Sequence, residues 1–262
     1  MGGFSFASVI LSYFLVGGGL FLGALVTAAL GIEAQYVAVV VIAIGTFIGG
    51  FIAARASRGS TIIEPAIGAV AVVGTVVAMI ATTDLGKMIW AFARDESMKS
   101  VAVMGGASVV GAVVGAFLSE KLLGEATRSS LPWIIYTAFA TFGTCVLGTI
   151  FASIVFVQRG QAEAAVSDVG MGLVVGIGGG CLVAGLAIGA SARERPLLAS
   201  LLGGGIGLAA FFYLVHHYTA HATGGPERDA LIGLAIIAFG GALVTMIGTA
   251  IGWAAVGRKH AG

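Results

Sequence analysis

The stretch Tyr36-Val-Ala-Val-Val-Val-Ile-Ala-Ile-Gly-Thr-Phe-Ile-Gly-Gly-Phe-Ile-Ala-Ala54 decides the fold class. It holds no charge, and its only polar side chains are Tyr36 and Thr46. A helix rises about 1.5 Å per residue, so about 20 apolar residues cross the ~30 Å of hydrocarbon in a bilayer. A membrane β-strand would instead span about 10 residues with strict apolar–polar alternation. The Ala/Val/Ile/Gly run does not alternate, so it reads as a transmembrane helix.

The same reading carried outward gives eight spans, at 7–30, 36–54, 62–83, 100–119, 132–157, 169–190, 196–217 and 229–255. Composition agrees: 58% of the 262 residues are hydrophobic and 10% charged, with a mean hydropathy of +1.07. Soluble domains carry about 25% charged residues, more than twice the share found here. The chain has no Asn and only three Gln, so side chains that need partners in lipid are scarce. Pro65, Pro132 and Pro196 fall in the first turns of spans, where a missing N–H costs nothing. Ser130 can cap the fifth span, and Thr61 with Glu64 has capping-box spacing for the third. The N-terminus lacks the basic region of a secretory signal, and the first run reads as a retained helix. Cys145 and Cys181 lie within apolar runs and read as small buried hydrophobes.

The loops at 55–60, 120–131 and 191–195, with the C-terminus, hold Arg55, Arg58, Lys121, Arg128, Arg193, Arg195, Arg258 and Lys259. The opposite loops hold Lys87, Arg94, Lys99, Arg159 and Arg228. The positive-inside rule then places both termini in the cytoplasm, and the expected location is the cytoplasmic (inner) membrane. Trp133 and Trp253 near the inner face, and Trp90 near the outer, suit interfacial anchoring. A net charge of +1 gives no pull toward nucleic acid. The partners implied are membrane lipid and other membrane subunits or further copies of the chain.

The spans fall into two sets of four. An offset of 135 lays Arg58-Gly-Ser-Thr-Ile-Ile on Arg193-Glu-Arg-Pro-Leu-Leu and Gly68 on Gly203. It also lays Ala107 on Ala242 and Val109 on Val244, while an offset of 125 brings Gly18 and Gly23 onto Gly143 and Gly148. The expected architecture is an all-α integral membrane protein of two parallel four-helix repeats, 1–125 and 126–262. Four is even, so both repeats enter the bilayer the same way, about a pseudo-twofold axis along its normal. Segment 84–99 has Leu85, Met88, Ile89 and Phe92 at i, i+3, i+4, i+7 spacing among charges, which suits a short interfacial helix.

The run Ile44-Gly-Thr-Phe-Ile-Gly-Gly-Phe-Ile-Ala-Ala-Arg-Ala-Ser57, followed by a turn and a second Gly/Ala-rich helix, resembles a hairpin of small four-helix prokaryotic membrane proteins. The match covers about 30 residues, echoed without the aromatic at 176–207. That family has no settled activity, so the resemblance implies topology alone.

Candidate sites are few. Gly-x-x-x-Gly spacing occurs at Gly45/Gly49, Gly111/Gly115, Gly172/Gly176, Gly185/Gly189, Gly203/Gly207 and Gly248/Gly252. Such pairs make a flat groove for another helix, within the chain or in another subunit. His217 and His221 share one helical face if the seventh span continues, and two imidazoles so placed can hold a metal, a haem or a pigment. A wet helix end is the favoured explanation of them, since no Glu of a metalloprotease motif and no Cys accompanies them, and no cofactor is expected. Glu64 and Asp168 sit at span N-termini, where helix dipoles favour carboxylates. Thr141, Thr144, Thr149 and Ser153, with Thr245 and Thr249, either line a polar path or bond to their own helix backbones.

No ionisable residue falls near the centre of any span, which disfavours proton pumping and intramembrane proteolysis. The leading expectation is a non-catalytic structural or accessory subunit of a larger membrane complex. The alternative is a channel or transporter for a neutral or weakly polar small solute. Third comes a haem-, metal- or pigment-carrying subunit built on the histidines.

Overall fold

A computed structural model describes residues 4–32, 34–57, 62–82, 94–123, 130–158, 166–192, 196–223 and 227–257. These residues form eight helices and no strand: α1 (Phe6–Ala29), α2 (Gln35–Ala56), α3 (Ile63–Thr82), α4 (Arg94–Leu123), α5 (Ser130–Gln158), α6 (Val166–Ser191), α7 (Leu197–Thr223) and α8 (Glu227–Gly257). Five stretches within them are long and apolar enough to cross a membrane: Phe6–Thr27, Gln35–Ala56, Lys99–Leu122, Val174–Ser191 and Ala235–Val256. Ile63–Ala78 and Leu197–Tyr213 form shorter apolar helices. Most of the expected interfacial segment, 84–93, lies outside the described residues, as do Trp90 and Thr61. From Arg94 onward the chain is already α4, so residues 94–99 extend that helix.

The helix ends follow local chemistry. Gly31, at φ +60°, takes the left-handed conformation after α1, and the Ile32 N–H reaches back to the Thr27 carbonyl at 3.0 Å. Pro65 and Pro132 each stand third in their helices, α3 and α5, inside the first turn. Pro196 immediately precedes α7, and its carbonyl accepts the Ser200 N–H at 2.8 Å.

Large apolar side chains face outward, among them Val40, Ile44 and Ile48 of α2, Val110 and Phe117 of α4, Ile206 of α7 and Ile251 of α8. The interior, beside Leu11, Leu15, Ile188 and Leu208, holds many small and hydroxyl residues: Ala69, Ala112, Ala116, Thr46, Thr137, Thr141, Ser200, Thr245 and Thr249 are all buried. Water would drive that distribution the other way, whereas lipid gives no reason to hide Ile or Phe and lets small residues bring helices together. Together with its apolar helices, this marks the chain as a helical membrane protein.

The helices pack in a repeating order. α1 packs on α2 and α3, and α4 closes against α2 and α3. In the same way α5 packs on α6 and α7, and α8 closes against α6 and α7. α1 and α5 meet at the centre, where each also touches the second helix of the other set. Individual contacts repeat as well. A Cβ on Gly68 would press on Ser12 and Tyr13, and one on Gly203 on Thr137 and Ala138. Gly50 faces the Ala112 carbonyl as Gly185 faces that of Thr245, and Gly115 lies on Phe47 and Phe51 as Gly248 lies on Leu182 and Leu186. These pairs align α1 with α5 at an offset of 125 and α2 and α3 with α6 and α7 at 135. They align α4 with α8 at 133. The matches of Ala107 with Ala242 and Val109 with Val244 are thus two residues out of register, because Ala and Val recur too often here to fix one.

Candidate functional site

The polar interior is the one concentration of functional groups among the described residues, and glycine determines its geometry. Each of Gly45, Gly49, Gly111, Gly115, Gly185, Gly189, Gly203, Gly207, Gly248 and Gly252 stands where a Cβ would come under 3.0 Å from the backbone of another helix. At that spacing two backbones touch with no side chain between them. Gly45 and Gly49 abut α1 at Gly19 and Leu15; Gly111 and Gly115 abut α2 at Ala43 and Phe47. Gly185 and Gly189 abut α8 at Thr245 and Thr249, Gly203 and Gly207 abut α5 at Ile134 and Ala138, and Gly248 and Gly252 abut α6 at Leu182 and Leu186.

The threonines face these glycines. Thr141 lies on Gly207 of α7, Thr144 on Gly180 of α6, and Thr245 on Gly204 of α7 and Gly185 of α6. Thr249 meets Gly189 through its backbone, and its hydroxyl oxygen accepts from the Ser200 hydroxyl of α7 at 3.0 Å. The hydroxyls also turn inward on their own helices: Thr144 donates to the Thr141 carbonyl, Thr245 to Gly241 and Thr249 to Thr245, each at 2.9 Å. Thr149 is half-buried beside Gly148, whose Cβ would meet the Gly176 carbonyl. Thr141, Thr144, Thr245 and Thr249 thus each stand at a helix seam.

Two polar contacts escape a reading of spacing alone. Glu64, fully buried, accepts the Ser5 N–H at 2.6 Å and the Ser57 hydroxyl, so it ties the start of α1 and the end of α2 to the first turn of α3. The capping role expected of it is thus exerted on α1, a distant segment. Arg55, in the last turn of α2, lies beside the buried Tyr136 of α5. Gly19 and Gly23 were also legible as a Gly-x-x-x-Gly pair, masked by the run Gly17-Gly18-Gly19; both press on α2. Trp133, offered as an interfacial anchor, is half-buried and packs edge-on against Tyr136 at 5.4 Å.

The α7 backbone remains helical through His217 and His221 to Thr223, as their pairing on one face requires. Their side chains, and those of Asp168 and Ser153, lie outside the described residues. Among the described residues no three His, Cys, Asp or Glu side chains gather as metal ligands. The chain matches no family model, no curated protein and no solved structure.

Proposed function

We propose that the chain crosses the bilayer eight times as two parallel four-helix repeats, 1–125 and 126–262, and serves as a structural or accessory subunit of a larger membrane complex. The observation that carries this reading is the interior itself, where backbones meet at glycines and the hydroxyls of Thr144, Thr245 and Thr249 are bonded to carbonyls of their own helices. A carrier of solutes needs donors and acceptors turned toward a lumen, and these three are turned toward helix backbones. The contacts that recur at fixed offsets support the repeat, and the resemblance of 44–57 to a four-helix hairpin agrees with it.

Parity tests the crossing number. Eight crossings leave both termini on the cytoplasmic face; five leave them on opposite faces. Protease-cleavable tags at each end of the full chain should both be cut only from the cytoplasmic side, and cleavage from opposite sides would refute the eight-span reading. Gentle solubilisation from native membranes should bring down a reproducible set of integral membrane proteins. A chain that purifies alone, and passes small neutral solutes when reconstituted in vesicles, is a transporter and not a subunit.

A further inference from the structure

The chain has two cysteines, and the fold brings them together. Cys145 lies on α5 and Cys181 on α6; both are free and fully buried. They share one buried apolar cluster with Phe142, Leu208 and Phe211. Glycine makes the approach possible. A Cβ on Gly180 would stand 2.9 Å from the Thr144 carbonyl oxygen, so the next residue along each helix is carried to the same seam. From α8, a Cβ on Gly241 would be 3.4 Å from the Cys181 sulfur. At the corresponding places in the first four helices stand Leu20 and Thr46, so the pair occurs once.

We propose that Cys145 and Cys181 are a modification site: a dithiol that a small membrane-permeant peroxide oxidises to a disulfide joining α5 to α6. One sulfur, as thiolate, attacks a peroxide oxygen; the O–O bond breaks, leaving a sulfenic acid and hydroxide. The second sulfur, giving its proton to that hydroxide, displaces the sulfenic oxygen, so the S–S bond forms as the S–O bond breaks. The displaced oxygen leaves as water with the first thiol's proton. Two thiols and one peroxide become one disulfide and two waters, and the two electrons lost by sulfur reduce the O–O bond. Apolar burial slows the first step, since the thiolate is the nucleophile. Their place in one buried cluster makes the second step intramolecular.

The test uses the full chain in its membrane, treated with hydrogen peroxide, then denatured in detergent with a maleimide present. Wild type should lose both maleimide adducts, fall in mass by two hydrogens, stay monomeric on a non-reducing gel and recover both adducts after dithiothreitol. C145S and C181S, or C145A and C181A where serine impairs folding, should show no mass loss of two hydrogens. Retention of both adducts after peroxide would overturn the proposal. So would a gain of oxygen that dithiothreitol does not reverse, or a disulfide between two chains.

Discussion

At Gly50 and Gly185 a methyl group would meet the carbonyls of Ala112 and Thr245, whereas at Gly74 and Gly240 nothing lies within 4 Å. The same substitution therefore has opposite signs. G50A and G185A should each destabilise by about 3 kcal/mol, the upper end for overpacking, because backbone cannot swing aside. G74A and G240A should be neutral or gain about 0.5 kcal/mol from lower unfolded-state entropy. Thermal unfolding of the four variants in one detergent reads the difference. Glu64 invites a second comparison. E64A leaves the Ser5 N–H and Ser57 hydroxyl without their acceptor, a loss of about 1–3 kcal/mol for a buried site, and E64Q keeps one oxygen to accept. The alanine variant should melt lower than the glutamine variant; equal melting would show that the carboxylate does not hold these ends together.

Among the helices, length and place were legible because hydropathy reports them directly. The second span read as 36–54 is Gln35–Ala56, and the third read as 62–83 is Ile63–Thr82. The fourth, read as 100–119, is Arg94–Leu123, because a hydropathy reading stops at Lys99 and Glu120 while helical hydrogen bonding does not. At about 1.5 Å per residue α4 is about 45 Å long, more than the hydrocarbon needs, so its charged ends reach past it. Which helix each glycine groove receives was not legible, since Gly-x-x-x-Gly specifies a close approach but no partner. The hydroxyls of α5 and α8 read either as a path or as bonded to their own helices, and those of Thr144, Thr245 and Thr249 are bonded to their own helices. The α7–α8 seam offers a test: T249V keeps the side-chain volume but removes the hydroxyl bonded to Ser200. It should cost about 0.6 kcal/mol, the average for such bonds in membranes, and S200A about the same. If T249V costs several times more than S200A, the bond between them is not what Thr249 contributes.

At the centre of the molecule, a Cβ on Gly18 would stand 2.8 Å from the Phe139 carbonyl, and one on Gly143 would meet the carbonyl of Phe14. Each contact is the other with the two helices exchanged, the relation that the proposed two-repeat arrangement would give about a twofold axis. G18A and G143A should therefore lower stability by similar amounts. The double variant should lose less than the sum, since the first methyl already parts the helices that the second would. Unequal, additive losses would count against a shared seam. The exchange also bears on inheritance. When one gene supplies both sides of a symmetric contact, every change is made twice, and a residue useful on one side only cannot be tried there alone. In a single chain that carries both sides, each codon varies by itself. One side of the Gly18/Gly143 seam is then free to acquire chemistry that the other never receives, while the two glycines that join them remain bound to a common fate.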